Sequence, residues 1–347
     1  MTSRLRILNT VERKTVDRVP RDIWMTDEVS VNLKEYLGVD NDLDLYDALN
    51  IDKICWVQAA YTGEVPVLKT PAEDETFNEW GTGLRPKPYD GGIYLENSFY
   101  PIKALETSGE LENFIWPDSS SFNYSSLTTQ VEKFHGRTTM LSFIALFEVY
   151  SGMRSLDEAL MDLYLNPIFL HKALERIADI QIEYIKRAFA VSPEIDFIYY
   201  SDDMGMQDRQ MFSTELWEKF LKPHVKRIIE TAHSLNKKVF YHSDGSAFDI
   251  IRELVELGID ILNPIQYMCP GMERERLKKE FGKDVIFHGA IENQKILPFG
   301  TAEEVEQEVR ECNRILGENG GYIIAPCHNL QPNTPLENIL ALYRGEL

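Results

Sequence analysis

From Phe197 onward, short runs of β-branched and aromatic residues alternate with longer segments of helical period, and this alternation constrains the fold more than any other feature. The pattern predicts βα units around a parallel sheet. Strands are expected at Phe197–Tyr200, Lys238–Tyr241, Ile261–Pro264, Asp284–Phe287 and Gly321–Ala325. Between them, Thr214–Leu235 reads as one long helix started by Ser213 or Thr214, and Phe248–Leu257 and Met272–Phe281 each run to a glycine able to take positive φ. Thr301–Leu316 opens with a capping box, Thr301 to Glu304, and stops at Gly317. Upstream, Val19–Met25, Lys53–Val57 and Thr139–Ile144 bring the strand candidates to eight, the number that closes a (β/α)8 TIM barrel of the α/β class. A stretch of Gly, Pro and aromatic residues between 63 and 100 reads as an inserted β-hairpin over one mouth of that barrel. With no repeat, low-complexity tract or linker, residues 1–347 are expected to form a single domain.

Composition narrows the partners. Apolar residues at 44% suffice for a large core. With 36 basic against 56 acidic residues the formal charge is −20, which disfavours binding to a phosphate backbone. The first twenty residues alternate charged with apolar side chains and contain no secretory signal, and no segment approaches the roughly 18 apolar residues of a membrane span. Cys55, Cys269, Cys312 and Cys327 are scattered, as reduced thiols of a cytoplasmic enzyme are.

Barrel chemistry sits where strands end. Here the strand ends are crowded with polar, mostly ionisable groups: Glu148 after the third strand, Asp202 and Asp203 after the fourth, His242 and Asp244 after the fifth, the neutral Gln266 after the sixth, His288 and Glu292 after the seventh, and Cys327 and His328 after the eighth. So many carboxyl groups at one face need a cation, a ligand or hydrogen bonds to offset them. His242, Asp244 and Cys327 would suit an open zinc site, the alternative being His242 and Asp244 as a loop-holding pair and Cys327 as an inert thiol. Glu148 is the candidate proton donor, with a structural pair to Arg154 as the alternative. Of the neighbours Asp202 and Asp203, only one can face the pocket, and the other would cap the following turn. Trp24, Tyr199, Tyr200, Tyr241 and Tyr267, with Gln266, are candidates to wall a flat organic substrate, the alternative being ordinary core.

Several blocks, in order along nearly the whole chain, resemble the uroporphyrinogen decarboxylase superfamily. They are Asp17-Arg-Val-Pro20 followed by Trp24, Asp202-Asp-Met-Gly-Met-Gln207, His242-Ser-Asp-Gly245, Asn263-Pro-Ile-Gln266, Gly289-Ala-Ile-Glu-Asn293, Leu297-Pro-Phe-Gly-Thr-Ala-Glu-Glu-Val305 and Gly320-Gly-Tyr-Ile-Ile-Ala-Pro-Cys-His-Asn329. The resemblance implies the (β/α)8 barrel with its pocket at the carboxyl ends of the strands. True decarboxylases of that family carry a loop with two arginines after the first strand, whereas Trp24-Met-Thr-Asp27-Glu28-Val29 here presents two carboxylates that would repel a polyanionic porphyrinogen. The corrinoid-dependent methyltransferase branch places zinc on a His-x-Cys after the fifth strand and a second Cys at the eighth. His242 and Cys327 match it, and Asp244 stands where the first cysteine is expected.

The resemblance therefore implies a zinc- and corrinoid-dependent methyltransferase. It would move a methyl group from a methoxylated compound, an aromatic methyl ether for choice, to cob(I)alamin on a transient partner corrinoid protein, as the O-demethylase component of one-carbon metabolism. Zinc would act as Lewis acid, with Glu148, Asp202 or Asp203 supplying the proton, and a homodimer fits the reading. The alternatives are a decarboxylase of tetrapyrrole metabolism, methyl transfer from methylcobalamin to a thiol or folate, and a non-catalytic barrel.

Overall fold

The computed structural model describes residues 1–89 and 91–344. The expected insertion at 63–100 includes residue 90, and the expected domain includes residues 345–347; these lie outside the described residues.

The strands, in chain order, are β1 Ile54–Val57, β2 Thr76–Phe77, β3 Gly83–Tyr89, β4 Gly92–Phe99, β5 Thr138–Ile144, β6 Phe197–Ser201, β7 Lys238–His242, β8 Ile261–Asn263, β9 Ile286–Ile291 and β10 Tyr322–Pro326. Seven of them form one sheet in the order β1-β5-β6-β7-β8-β9-β10, every pair parallel. The eighth expected strand occupies the gap between the two edges of that sheet. Arg21 and Met25 make parallel bridges to Ile324 and Leu330, while the Arg21 carbonyl accepts from the backbone N–H of Asp52 and Lys53 beside β1. Residues 20–26 thus close a TIM barrel through single bridges rather than a continuous ladder.

The expected strands are shifted rather than misplaced: β9 runs on to Ile291, past the expected stop at Phe287. Two helix expectations need correction. The helix read over Thr214–Leu235 is two, Thr214–Phe220 and Lys222–Ser234, because Pro223 has no N–H for the continuing ladder. The glycine ending Arg274–Phe281, Gly282, has a φ of −63°, so positive φ holds only for Gly258 at 93°. The Thr301–Glu304 capping box is present and starts the helix Ala302–Leu316. The insertion is a three-stranded antiparallel sheet, β2-β3-β4, in which Tyr89 of β3 donates to Gln331 beyond β10 at 3.1 Å. That bond ties the insertion to the rim formed by the closing segment and the residues after β10. Among the described residues no helix is long and apolar enough to cross a membrane.

Closure rests on a buried charge network. Asp52, fully buried, accepts from Arg6 Nη1, from Arg18 Nη1 at 2.8 Å and from the Arg21 N–H at 2.9 Å. It joins the first helix, Ser3–Val11, to the closing segment at the start of β1. Removing one partner of a buried, hydrogen-bonded ion pair leaves the other charge uncompensated and costs about 3–5 kcal/mol. Asp52→Ala is therefore expected to lower the unfolding free energy by about that amount in urea titrations; a loss below about 1 kcal/mol, typical of exposed pairs, would show that the network does not hold the closure.

Candidate metal centre

Side-chain alternation along the parallel strands decides what enters the barrel. Trp24, Ile54, Met140, Phe197, Tyr199, Phe240, Ile261, Ile286 and Ile323 form the interior cluster, separate from the larger core between strands and helices. Two residues further along β7 than Phe240 stands His242, and the same step on β8 and β9 gives Asn263 and His288. Trp24 lies under this ring of polar groups, its centroid 5.6 Å from His242, 5.8 Å from His288 and 6.4 Å from His328. With Trp56 and Tyr199, whose rings meet edge-on at 4.3 Å, it makes an aromatic floor, and Phe143 beside Tyr199 extends it to the solvent.

Two loops cross above that floor. Residues 203–207 follow β6 and residues 243–246 follow β7, and they touch backbone to backbone at a pair of glycines. A Cβ on Gly205 would lie 2.5 Å from the Asp244 carbonyl oxygen, and one on Gly245, whose φ is 78°, would lie 2.6 Å from that of Met206. Only glycine permits this approach. Hydrogen bonds then lock the crossing: Asp203 accepts the Asp244 N–H at 2.8 Å, Gln266 accepts the Gly245 N–H at 2.6 Å, and Ser243 Oγ accepts the Met204 N–H at 2.9 Å. Asp244 is thereby turned toward the barrel axis.

The outcome is a three-residue cluster. Ligand atoms of His242, Asp244 and His328 all lie within 4.8 Å of one another. Asp244 Oδ1 is buried with no hydrogen-bond partner, and Oδ2 lies 4.0 Å from His328 Nε2. An unpartnered buried carboxylate oxygen is costly unless a cation meets it. Burial raises the Asp244 pKa, with Asp203 adding to it against the two imidazoles. Burial also lowers that of His328, leaving its ring neutral and able to offer a lone pair. Two imidazoles and a carboxylate form an acceptable zinc donor set of the open, three-ligand type.

Glu148 and Asp202 play different parts. Asp202, fully buried, accepts the N–H of Leu146 at 3.1 Å, the N–H of Glu148 at 2.8 Å and the Tyr200 hydroxyl at 2.7 Å, so it anchors the start of the helix Phe147–Arg154. Burial nevertheless pushes its pKa up to about 7. Glu148 is open to water at the mouth yet crowded by protein, and Oε2 accepts from Ser201 at 3.1 Å. Desolvation, then the charges of Asp202 and Asp203, push it up to about 8. It makes no pair with Arg154, which binds Asp162 at 2.8 Å. Asp203 is the member of the Asp pair that faces the mouth, 3.6 Å from His242 Nε2.

Other expected site residues are placed elsewhere. Cys327 is buried and donates to the Ile265 carbonyl at 3.3 Å, outside the cluster. β10 ends at Pro326 and the chain bends at Cys327 and His328; alternation from the inward-facing Ile323 would have carried Cys327 inward, and the bend brings His328 to the mouth instead. Tyr200 and Tyr241 alternate outward into the strand–helix core and stack on each other at 4.9 Å, and Tyr267 lies under the Arg274 guanidinium at 3.9 Å. None of the three walls the mouth. Trp24 does belong to the floor, and Gln266 braces the Gly245 turn. His328 was legible in the sequence only as the neighbour of Cys327, because strand parity from Ile323 favours Cys327 and the bend after Pro326 overrides it. Concavity is no guide here, since a depression of about 1000 Å³ lined by Arg13, Lys278 and Lys283 lies at the opposite end of the barrel.

The fold and its polar carboxyl-end mouth define an enzyme-type (β/α)8 barrel. Residues 77–344 match the uroporphyrinogen decarboxylase (URO-D) family, and the chain belongs to that family. Uroporphyrinogen decarboxylase of Mannheimia succiniciproducens is 20% identical over 96% of this chain and 93% of its own length. That of Anaeromyxobacter dehalogenans is 21% identical over 97% and 96%. Among solved structures, a methyltransferase from Methanosarcina mazei superposes with a TM-score of 0.66 at 17% identity, covering 99% of this chain and 97% of that one.

The raised carboxyls make stability depend on pH with a definite sign. Glu148 and Asp202 bind protons more tightly folded, at about 8 and about 7, than at their ordinary 4.5 and 3.8. Their protons are lost at a cost to the folded state, so stability falls as pH rises from about 4 through about 8. The urea midpoint of metal-free protein should decline over that range, and Glu148→Gln should flatten the upper part of the decline. An unchanged slope in the variant would place the titration elsewhere.

Proposed function

We propose that this chain is a zinc-dependent methyltransferase that moves the methyl group of a methoxylated compound, an aromatic methyl ether, to cob(I)alamin on a partner corrinoid protein. The observation that carries the reading is the convergence of His242, Asp244 and His328, with a buried Asp244 oxygen that has no other partner. These three residues would hold a zinc ion, which would supply Lewis-acid polarisation of the ether oxygen. The Methanosarcina methyltransferase, similar over nearly the full length of both chains, is in keeping with this.

The chain's own groups supply the rest. Glu148, with a pKa of about 8, carries a proton at neutral pH and delivers it to the departing oxygen. Trp24, Trp56, Tyr199 and Phe143 offer flat apolar faces on which an aryl ring can lie, fixing the methyl carbon toward the open mouth. Asp203 holds the Asp244 backbone, and Asp202 holds the helix that presents Glu148. The partner docks over the same mouth, in the cytoplasm.

Decarboxylation of a tetrapyrrole is the second reading, favoured by the names of the curated relatives. Against it stands the chemistry of the mouth, where the carboxyl groups of Asp203 and Asp244 gather. A substrate with several carboxylates would meet repulsion there.

Metal analysis after dialysis against zinc separates the readings. Wild type and Cys327→Ala should retain stoichiometric zinc, while His242→Ala and His328→Ala should lose it. Equal zinc in all four removes the metal site. Glu148→Gln should keep its zinc and lose about 10²- to 10⁴-fold in demethylation rate. Carbon dioxide release from a porphyrinogen by zinc-free protein would establish the decarboxylase instead.

A further inference from the structure

Beneath the cluster a chain of hydrogen bonds runs through the barrel interior, and none of its first three members touches the mouth. Asp22 Oδ2 lies 2.9 Å from His288 Nε2; His288 Nδ1 lies 2.7 Å from Asn263 Nδ2; Asn263 Oδ1 lies 2.6 Å from His242 Nδ1. All four side chains are buried. We propose that Asp22, His288 and Asn263 form a directional relay that fixes His242 as its Nδ1–H tautomer, so that the Nε2 lone pair is held facing the mouth.

The direction follows from the one end that has no choice. Burial alone would raise Asp22, but Lys53 at 3.2 Å, His288 and the Ile23 N–H hold its pKa at about 2. It is therefore a carboxylate and can only accept. His288 must donate through Nε2. Burial keeps His288 neutral, so its Nδ1 carries a lone pair and accepts. Asn263 must then turn its amide NH2 toward His288 and its carbonyl oxygen toward His242. That oxygen accepts only from a protonated Nδ1, which in a neutral ring leaves Nε2 bare, 3.6 Å from Asp203 Oδ1. Neighbouring positions on β7 and β8 put His242 directly beside Asn263, so register supplies the contact. A metal-binding imidazole whose other nitrogen donates to a fixed acceptor is better oriented and more basic. Asp22, His288 and Asn263 are positioning residues acting through His242; the relay's purpose rests on the metal reading, although its existence does not.

The test is long-range proton–nitrogen correlation on full-length, metal-free protein with nitrogen-15-labelled histidine, the seven histidines being assigned by single substitution. Wild-type His242 should show a protonated Nδ1 and an unprotonated Nε2. Asn263→Asp retains an acceptor and should keep that pattern, whereas Asn263→Leu removes it and should shift His242 toward the Nε2–H form. Should the Leu variant fail to fold, His288→Phe frees Asn263 to rotate and should give the same shift. An Nε2–H or doubly protonated His242 in wild type overturns the relay without any variant. Zinc titration is read separately. If wild type binds zinc, the tautomer-shifted variants should bind about 10- to 100-fold more weakly, and equal affinity overturns the relay's purpose. If wild type shows the expected tautomer and binds no zinc, the metal reading fails while the relay stands.

Discussion

A single buried carboxylate, that of Asp22, joins the closure of the barrel to the organisation of its site. It sits on the segment that fills the gap between β10 and β1, where the backbone makes isolated bridges instead of a ladder. A closure this thin needs side-chain reinforcement. Asp22 provides it by accepting the N–H of Ile23 at 2.8 Å and of Ile54 at 3.2 Å, with Lys53 at 3.2 Å balancing its charge. The other oxygen receives His288 and the Trp24 indole, so the same group that seals the wall also orients the polar interior. Asp52 anchors the segment from below.

The mouth inverts the usual economy of a barrel interior. Its lower layers are mainly aromatic and aliphatic, crossed by the buried chain from Asp22 through His288 and Asn263, while its rim gathers Glu148, Asp203 and Asp244 around two imidazoles. Like charges at this range raise one another's pKa or call for a counterion. Glu148 takes the first course and stays protonated near neutrality. Asp244, with a buried oxygen left over, is suited to the second. The two outcomes together give an acid and a carboxylate suited to a cation at one mouth, the combination that the proposed ether cleavage would use.

Much of this was legible in the sequence because strand ends were. The periodicity from Phe197 located five of the sheet strands, and the polar text after them gave the Asp pair, His242 and Asp244, while Glu148 followed the upstream strand candidate Thr139–Ile144. What failed was parity. Tyr200 and Tyr241 each lie one position from a residue that faces inward, and a one-residue error reverses a side chain's direction. At the eighth strand both alternation and the family's cysteine pattern favour Cys327, and the bend after Pro326 brings His328 to the mouth instead. The relay was hidden for another reason, since Asp22 and His288 are 266 residues apart and meet only through closure of the ring. Pro223 shows the opposite case: the breaker was in plain view within the segment read as one helix.

The central claim is that a zinc ion here would be held by nitrogen and oxygen alone. X-ray absorption at the zinc edge of the full chain loaded with stoichiometric zinc tests it most directly. The account predicts a first shell of nitrogen and oxygen scatterers at about 2.0–2.2 Å with imidazole multiple scattering from two rings. A sulfur scatterer at about 2.3 Å would contradict it by returning Cys327 to the metal.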